Sequence, residues 1–255
     1  MSAPAAFVTG GSQGIGAAVV RRLAADGYRV CFVDLAEEAG RALVGELAAD
    51  GAEVRFRRGD VRVDADLRAA VDEIVRDWGR LDVLVNNAGR NSYHDAVAMT
   101  EEEWDDVFDV DLKSAWLAAR ACLPELQRGG GAIVNVSSIH GRLTTPGMFP
   151  YAAAKSAVEG LTRSLAVDYA RAGVRVNAVA PGWTRTRLVE DWLERQPDPE
   201  SAERRLLGAH PLGYLAEPED VAAVIAFLAG PEARAVTGAV FPVDCGLGVT
   251  FGTGG

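Results

Sequence analysis

Lysine is nearly missing from this chain. Of 26 basic residues only Lys113 and Lys155 are lysine, and the rest are arginine. That scarcity reflects coding bias rather than mechanism, but it makes the position of each lysine informative. Basic charge is short as well. With 36 acidic residues the formal net charge is −10, which argues against a nucleic-acid or anionic-membrane partner, since both need a basic face. Cysteine occurs three times, at Cys31, Cys122 and Cys245. An odd number at wide spacing makes neither a disulfide framework nor a metal-ligand pattern. No metal is expected, a reducing cytoplasm fits, and Cys31, inside an apolar run, reads as a small core residue. No segment approaches a bilayer-spanning length. The opening MSAPAAFVTGG lacks a basic n-region and a long apolar stretch, so no signal peptide is expected. With no composition break, internal repeat or low-complexity linker, residues 1–255 read as a single domain.

What the chain does have is a repeated switch of hydrophobic period. Its 255 residues are 49% hydrophobic and 24% charged, ordinary for a soluble enzyme and sufficient for a real core. Short apolar runs at 5–9, 29–34, 53–60, 81–89, 129–138, 174–182 and 238–246 alternate with helical patterns. Those patterns cover 16–27, 37–51, 64–79, roughly 101–110 and 111–127, 151–172, and 218–230. Val- and Ala-rich runs with little polar alternation fit strands buried on both faces. The alternation predicts an α/β fold, a doubly wound parallel sheet with helices on both sides and right-handed crossovers. Residues 184–212, with RQPDPESAERR and HPLG, break the regularity after a strand's C-terminal end. A substrate lid is expected there.

The stretch TGGSQGIG, residues 9–16, joins the first strand to the first helix. Gly10, Gly14 and Gly16 are spaced G-x-x-x-G-x-G, with Ser12, Gln13 and Ile15 between them. Glycine allows a tight turn and a close approach to a pyrophosphate, and the helix N-terminus adds free N–H groups. Asp34 ends the second strand, 18 residues after Gly16. Its carboxylate can accept hydrogen bonds from the adenosine ribose hydroxyls and would repel a 2′-phosphate. Gln13 is neutral and Leu35 follows Asp34, so no cation neutralises such a phosphate. The expected cofactor is therefore NAD rather than NADP. Asp60 and Val61, after the third strand, are expected beside the adenine. Asn87, Ala88 and Gly89 of NNAG are expected to brace neighbouring loops and let the dinucleotide pass.

Tyr151 and Lys155 in YAAAK stand four residues apart and share a helix face. A free tyrosine, with a pKa of about 10, is a poor base at neutral pH. A nearby ammonium favours the phenolate and is expected to bring that pKa toward the working range. Ser138 ends the fifth strand 13 residues before Tyr151, and its hydroxyl can meet the oxygen of a substrate alcohol or ketone.

With the glycine loop, Asp34, NNAG, Ser138 and YAAAK in this order, the chain resembles the short-chain dehydrogenase/reductase family from Thr9 to about Gly246. The resemblance implies a seven-stranded Rossmann sheet, usually in a homotetramer. It implies Tyr151 as general acid/base, Lys155 as the group that lowers its pKa and holds the nicotinamide ribose, and Ser138 as the substrate-positioning hydroxyl. The family's Pro-Gly motif appears as Pro181-Gly182 in PGWTRT, so Thr186 is expected at the nicotinamide carboxamide with Thr184 nearby. One residue departs from the pattern. Where the family has an asparagine that supports a water leading to the lysine, this chain has Asp111 in DVDLKSAW. A carboxylate lacks the amide donor, and a working but retuned proton relay is expected.

The substrate pocket is expected from the loops 90–95 and 139–150 and from the lid. His140, Met148, Phe149 and Trp183 would give mixed walls, with Tyr93 and His94 adding polar contacts. Arg185 and Arg187 flank Thr186 and could meet a substrate carboxylate or phosphate. The expected activity is NAD-dependent interconversion of a small-molecule secondary alcohol and a ketone by hydride transfer. Two alternatives remain open: an NADPH-type carbonyl or 3-oxoacyl-thioester reductase, and a catalytically retired NAD-binding regulator.

Overall fold

The computed structural model describes residues 3–250; residues 1–2 and 251–255 of the expected domain lie outside the described residues. Seven strands form one sheet: β1 Ala5–Thr9, β2 Arg29–Asp34, β3 Val54–Arg58, β4 Val83–Asn86, β5 Gly131–Val136, β6 Val174–Pro181 and β7 Val240–Val243. Their order is β3-β2-β1-β4-β5-β6-β7, and every neighbouring pair is parallel. This is the expected doubly wound Rossmann-like sheet.

Strand side chains alternate between faces, and each face meets its own core. From β1, Ala6 and Val8 join Val19 and Leu23 of α1 (Gly14–Ala25) and Ile225 and Leu228 of α9 (Pro218–Ala229). Ala5 and Phe7 join Leu67 and Ile74 of α3 (Asp64–Trp78) and Leu126 of α5 (Ser114–Gly129) on the other side. A third helix, α2 (Glu37–Ala49), completes the first layer with Leu43 and Leu47. Cys31 lies in the second core, and burial pushes its thiol up to about 12, so it is the inert core residue expected.

The chain runs outward from β1 to β3, then returns to place β4 on the other side of β1. Ligands of open α/β sheets bind in the crevice at such a switch, beyond the strands' C-terminal ends. The loops after β1 and β4 both open there.

Two segments differ from the sequence-based expectation. The helices expected at 101–110 and 111–127 are one continuous path. α4 (Glu101–Phe108), started by a Thr100–Glu103 capping box, passes through a π-helical turn at Asp109–Lys113 directly into α5. In the irregular 184–212 stretch the chain forms α7 (Arg187–Glu194) and α8 (Pro199–Gly208). Their Val189, Leu193 and Ala202 pack with Leu215 in a small cluster of their own. The helix before these, α6, spans Tyr151–Tyr169 and carries the YAAAK pair at its first turn.

Candidate active site

The loop after β1 is tied to the loop after β4 through one threonine. Thr9 Oγ1 accepts hydrogen bonds from the backbone N–H groups of Asn87 (3.1 Å) and Ala88 (3.2 Å). The Asn87 side-chain amide donates in return to the carbonyls of Thr9 (3.2 Å) and Gly10 (2.8 Å). This closeness is why glycine stands there: a Cβ on Gly16 would lie 1.9 Å from the Gly10 carbonyl oxygen. Gly14, at φ +52°, would meet only the Thr186 side chain, at 3.4 Å. Gln13 precedes α1 without a side-chain cap bond, so the helix's first N–H groups stay available to an anion. Ser12 Oγ is buried with no partner. Asp34 Oδ2 accepts from the Ser12 N–H and Oδ1 from the Ala36 N–H, both at 3.0 Å. The carboxylate is thereby fixed at the crevice edge, beside the exposed Leu35. An orphaned hydroxyl, an uncapped helix start and a positioned carboxylate fit a dinucleotide. Ile15 and Val61 pack against the two cores. Asp60 is engaged by its neighbour: its carboxylate accepts from the Arg62 guanidinium at 2.6 Å, and Arg62 holds it below the usual carboxylate range.

Tyr151 and Lys155 are both buried, and the Lys155 Nζ lies 5.5 Å from the tyrosine ring centroid. Ring and amine therefore occupy one space, as the one-turn spacing requires. Ser138 lies two residues beyond the end of β5 rather than ending it; it accepts the His140 N–H at 3.2 Å and starts the 3₁₀ turn Ile139–Gly141. The electrostatic balance corrects the simple expectation for Tyr151. Burial raises its pKa and outweighs both Lys155 and the Ser138 contact, which favour the phenolate; Asp111 and Tyr93 push upward too. Removing the phenolate from water costs more than one ammonium returns. For Lys155 the outcome is the reverse. Burial pulls its pKa down, but Tyr151 and Asp111 outweigh it and hold the group as a cation.

Asp111 is the one buried residue of the π turn. Its Oδ1 lies 3.2 Å from Lys155 Nζ and accepts the Arg90 N–H at 3.1 Å. Where the family's asparagine supports a water, this carboxylate meets the ammonium directly as an ion pair. Gly89 makes room for it, since a Cβ there would sit 2.8 Å from Asp111 Oδ1 and 2.9 Å from Lys155 Nζ. Asp111 Oδ2 is buried and has no hydrogen-bond partner.

The expected pocket residues divide. The His140 ring stands edge-on to Tyr151 at 5.9 Å, its Nδ1 3.2 Å from Thr144 Oγ1, and burial lowers its pKa. Met148 is buried beside Phe149, which meets Trp104 at 5.9 Å. Tyr93 is exposed, and the His94 N–H donates to the Phe149 carbonyl at 2.9 Å. Trp183 turns toward the 184–212 segment, against Trp192 at 4.9 Å and that segment's own apolar cluster. Pro181 pairs with Val243, and Gly182 is pressed against Asp244. Thr184 is buried in a bridge to Ala216, while Thr186, preceding α7, faces Gly14. Arg185 is not offered to a substrate: it holds Glu190 and Glu203 at 2.9 and 2.8 Å. Arg187 points to the surface.

Sequence reasoning passed over two structural supports. Thr9 opens the loop motif TGGSQGIG, where the glycine spacing gives it no role. Asn86 and Asn135, both buried, form a chain with Thr162 at 2.9 Å per link behind the site. An asparagine inside the apolar run AIVNV was the available signal. Among the described residues no cluster has metal-ligand composition, and no helix is long and apolar enough to cross a membrane.

Comparison with known proteins gives concordant results. The sequence model of the enoyl-(acyl carrier protein) reductase family matches residues 10–248. The oxidoreductase UcpA of Salmonella typhimurium is 40% identical over 246 residues, 94% of this chain and 93% of that protein. The 4-formylbenzenesulfonate dehydrogenase TsaC1/TsaC2 of Comamonas testosteroni is 39% identical, covering 96% and 97%. A crystal structure of a variant actinorhodin polyketide ketoreductase with NADPH superimposes with a TM-score of 0.92 at 36% identity, covering 98% of this chain and 100% of that one.

Proposed function

The chain belongs to the short-chain dehydrogenase/reductase family, and from that premise we propose that it interconverts a small-molecule secondary alcohol and a ketone with NAD. The observation that carries this reading is the Tyr151 hydroxyl, buried with the Ser138 contact and with the Lys155 ammonium, which faces Gly89. When bound, the nicotinamide ring accepts or supplies the carbinol hydride. The Tyr151 oxygen takes the substrate's hydroxyl proton in oxidation and returns it in reduction. Ser138 Oγ orients the substrate oxygen, and Lys155 stabilises the phenolate and reaches the nicotinamide ribose. Asp34 would accept the adenosine ribose hydroxyls, and its charge disfavours a 2′-phosphate. Ser12 Oγ and the free N–H groups of α1 suit the pyrophosphate. Thr186, against Gly14, suits the carboxamide, and residues 184–212 serve as the lid.

A second reading, ketone reduction with NADPH, is supported by the likeness to the ketoreductase crystallised with NADPH. Exposed Trp116 and Val167 on α5 and α6 support the homotetramer that we propose for a cytoplasmic enzyme. The experiment is a panel of secondary alcohols offered with NAD⁺ or NADP⁺, with NADH or NADPH formation followed by absorbance and Tyr151→Phe as the blank. Turnover with NAD⁺ in the parent and not in the variant is expected. Strong preference for NADP⁺ would overturn the role given to Asp34. Binding without turnover on any substrate would favour a retired enzyme.

A further inference from the structure

The oxidised nicotinamide ring is a cation, and the reduced ring is neutral. Everything else in the two cofactors, adenosine and pyrophosphate included, is the same. The ratio of their affinities therefore reports the charge of the protein around the ring and little else. At the reacting end of this site the residues can be charged one by one. Lys155 is a buried cation. Burial holds Tyr151 toward the neutral phenol, and His140 toward the neutral imidazole. The Arg90 guanidinium, which might have contributed a second positive charge, is turned to Asp106 on α4, and only its backbone N–H faces the site.

That leaves Asp111. It is buried, lies 3.2 Å from Lys155 Nζ, and keeps one oxygen free of any hydrogen bond. The other oxygen meets the Lys155 ammonium and the Arg90 N–H, so Lys155 is the one full charge it faces. With aspartate the pair sums to zero; with a neutral residue the site would keep one whole positive charge. We propose that Asp111 is a positioning and specificity-determining residue that, by cancelling Lys155, favours binding of the oxidised over the reduced nicotinamide cofactor. This rests on the reading of Lys155 as the residue at the nicotinamide end. A unit charge several ångströms away, in a medium of effective dielectric constant about 20, changes an affinity by roughly tenfold or more.

The test needs no turnover. The parent, Asp111→Asn and the double variant Asp111→Asn/Lys155→Met are titrated by calorimetry with NAD⁺ and, separately, NADH, in the absence of substrate. Circular dichroism checks that each is folded. In Asp111→Asn the ratio of the NAD⁺ to the NADH dissociation constant should rise about tenfold. The double variant removes both charges, and its ratio should return to within a few-fold of the parent's. A structural role alone would weaken both forms together and leave the ratio fixed. An unmoved ratio in Asp111→Asn, or the same shift in the double variant as in the single, overturns the proposal. If the parent binds neither NAD⁺ nor NADH, the NAD reading fails instead. The same ratio taken with NADP⁺ and NADPH then decides the inference, and binding of neither pair ends it.

Discussion

Two cations of this protein are each held by carboxylates, and they mean opposite things. Lys155 meets Asp111 in the interior, where both side chains are almost wholly out of water. Arg185 meets Glu190 and Glu203 in the 184–212 segment, with about a third of its side chain exposed. Contact length does not explain the difference, since the Arg185 contacts are the shorter. Burial does. An exposed pair gains little because water screens it. A buried pair is costly to assemble and more costly to break, because the abandoned partner keeps its charge without solvent. The interior pair is therefore where a change of one residue should reach both stability and chemistry.

Lys155→Met is the most severe break. It leaves the Asp111 carboxylate buried with only the Arg90 N–H as a polar partner. A loss of about 3–5 kcal/mol is expected in denaturant unfolding, together with loss of turnover. Tyr151→Phe should lower turnover about 10²–10⁴-fold while the unfolding midpoint stays near the parent's. If the two variants unfold alike, the interior pair is not what makes Lys155 structurally different from its neighbour.

Gly89→Ala sharpens the comparison without altering any charge. The added methyl would come within 3 Å of both members of the pair, so the ion pair or the loop must shift. A cost of about 1–3 kcal/mol is expected, with activity falling alongside. Asp111→Asn acts more gently. Asp111 is one of the groups that raise the Tyr151 pKa, so removing its charge favours the phenolate. Stability tied to a raised phenol pKa is present while the phenol is protonated and fades as pH rises. For the reaction, the ascending limb of alcohol oxidation against pH should move to lower pH. A limb that stays in place, or moves upward, would mean that the pair does not act on the phenol.

The sheet, the glycine loop, Asp34 and the Tyr151–Lys155 pair were legible because each depends on local order along the chain. Side chains that alternate along a strand buried on both faces send Phe7 and Val8 into opposite cores whatever lies far away. One helical turn brings Lys155 beside Tyr151. The Asp111–Lys155 contact was not legible in the same way. It depends on a π turn that holds α4 and α5 in one path and turns one acidic residue inward, and π turns have no sequence signature of comparable strength. The net direction of the Tyr151 pKa was hidden for a related reason: spacing names the neighbour, while only packing fixes the burial that opposes it. The helices α7 and α8 were concealed by their own start signals. The stretch around Asp198 and Pro199 reads as breaker-rich, yet Asp198 caps α8 and Pro199 occupies its first turn, where proline costs nothing because its missing N–H had no helical partner.

The mildest change bears on the exposed side of the comparison. Arg185→Ala removes the contacts to Glu190 on α7 and Glu203 on α8, together with a longer one to Glu217 ahead of α9. It leaves the backbone bond from Arg185 to Ala216 and the segment's apolar cluster untouched. Each exposed pair is worth about 0–1 kcal/mol, so the global unfolding midpoint should hardly move. What should change is local. Limited proteolysis within 184–212 should quicken, and the substrate KM should rise more than kcat falls. Were Arg185→Ala instead to destabilise the protein as much as Lys155→Met, the number of carboxylates around a cation, rather than its separation from water, would be the quantity that decides its worth here.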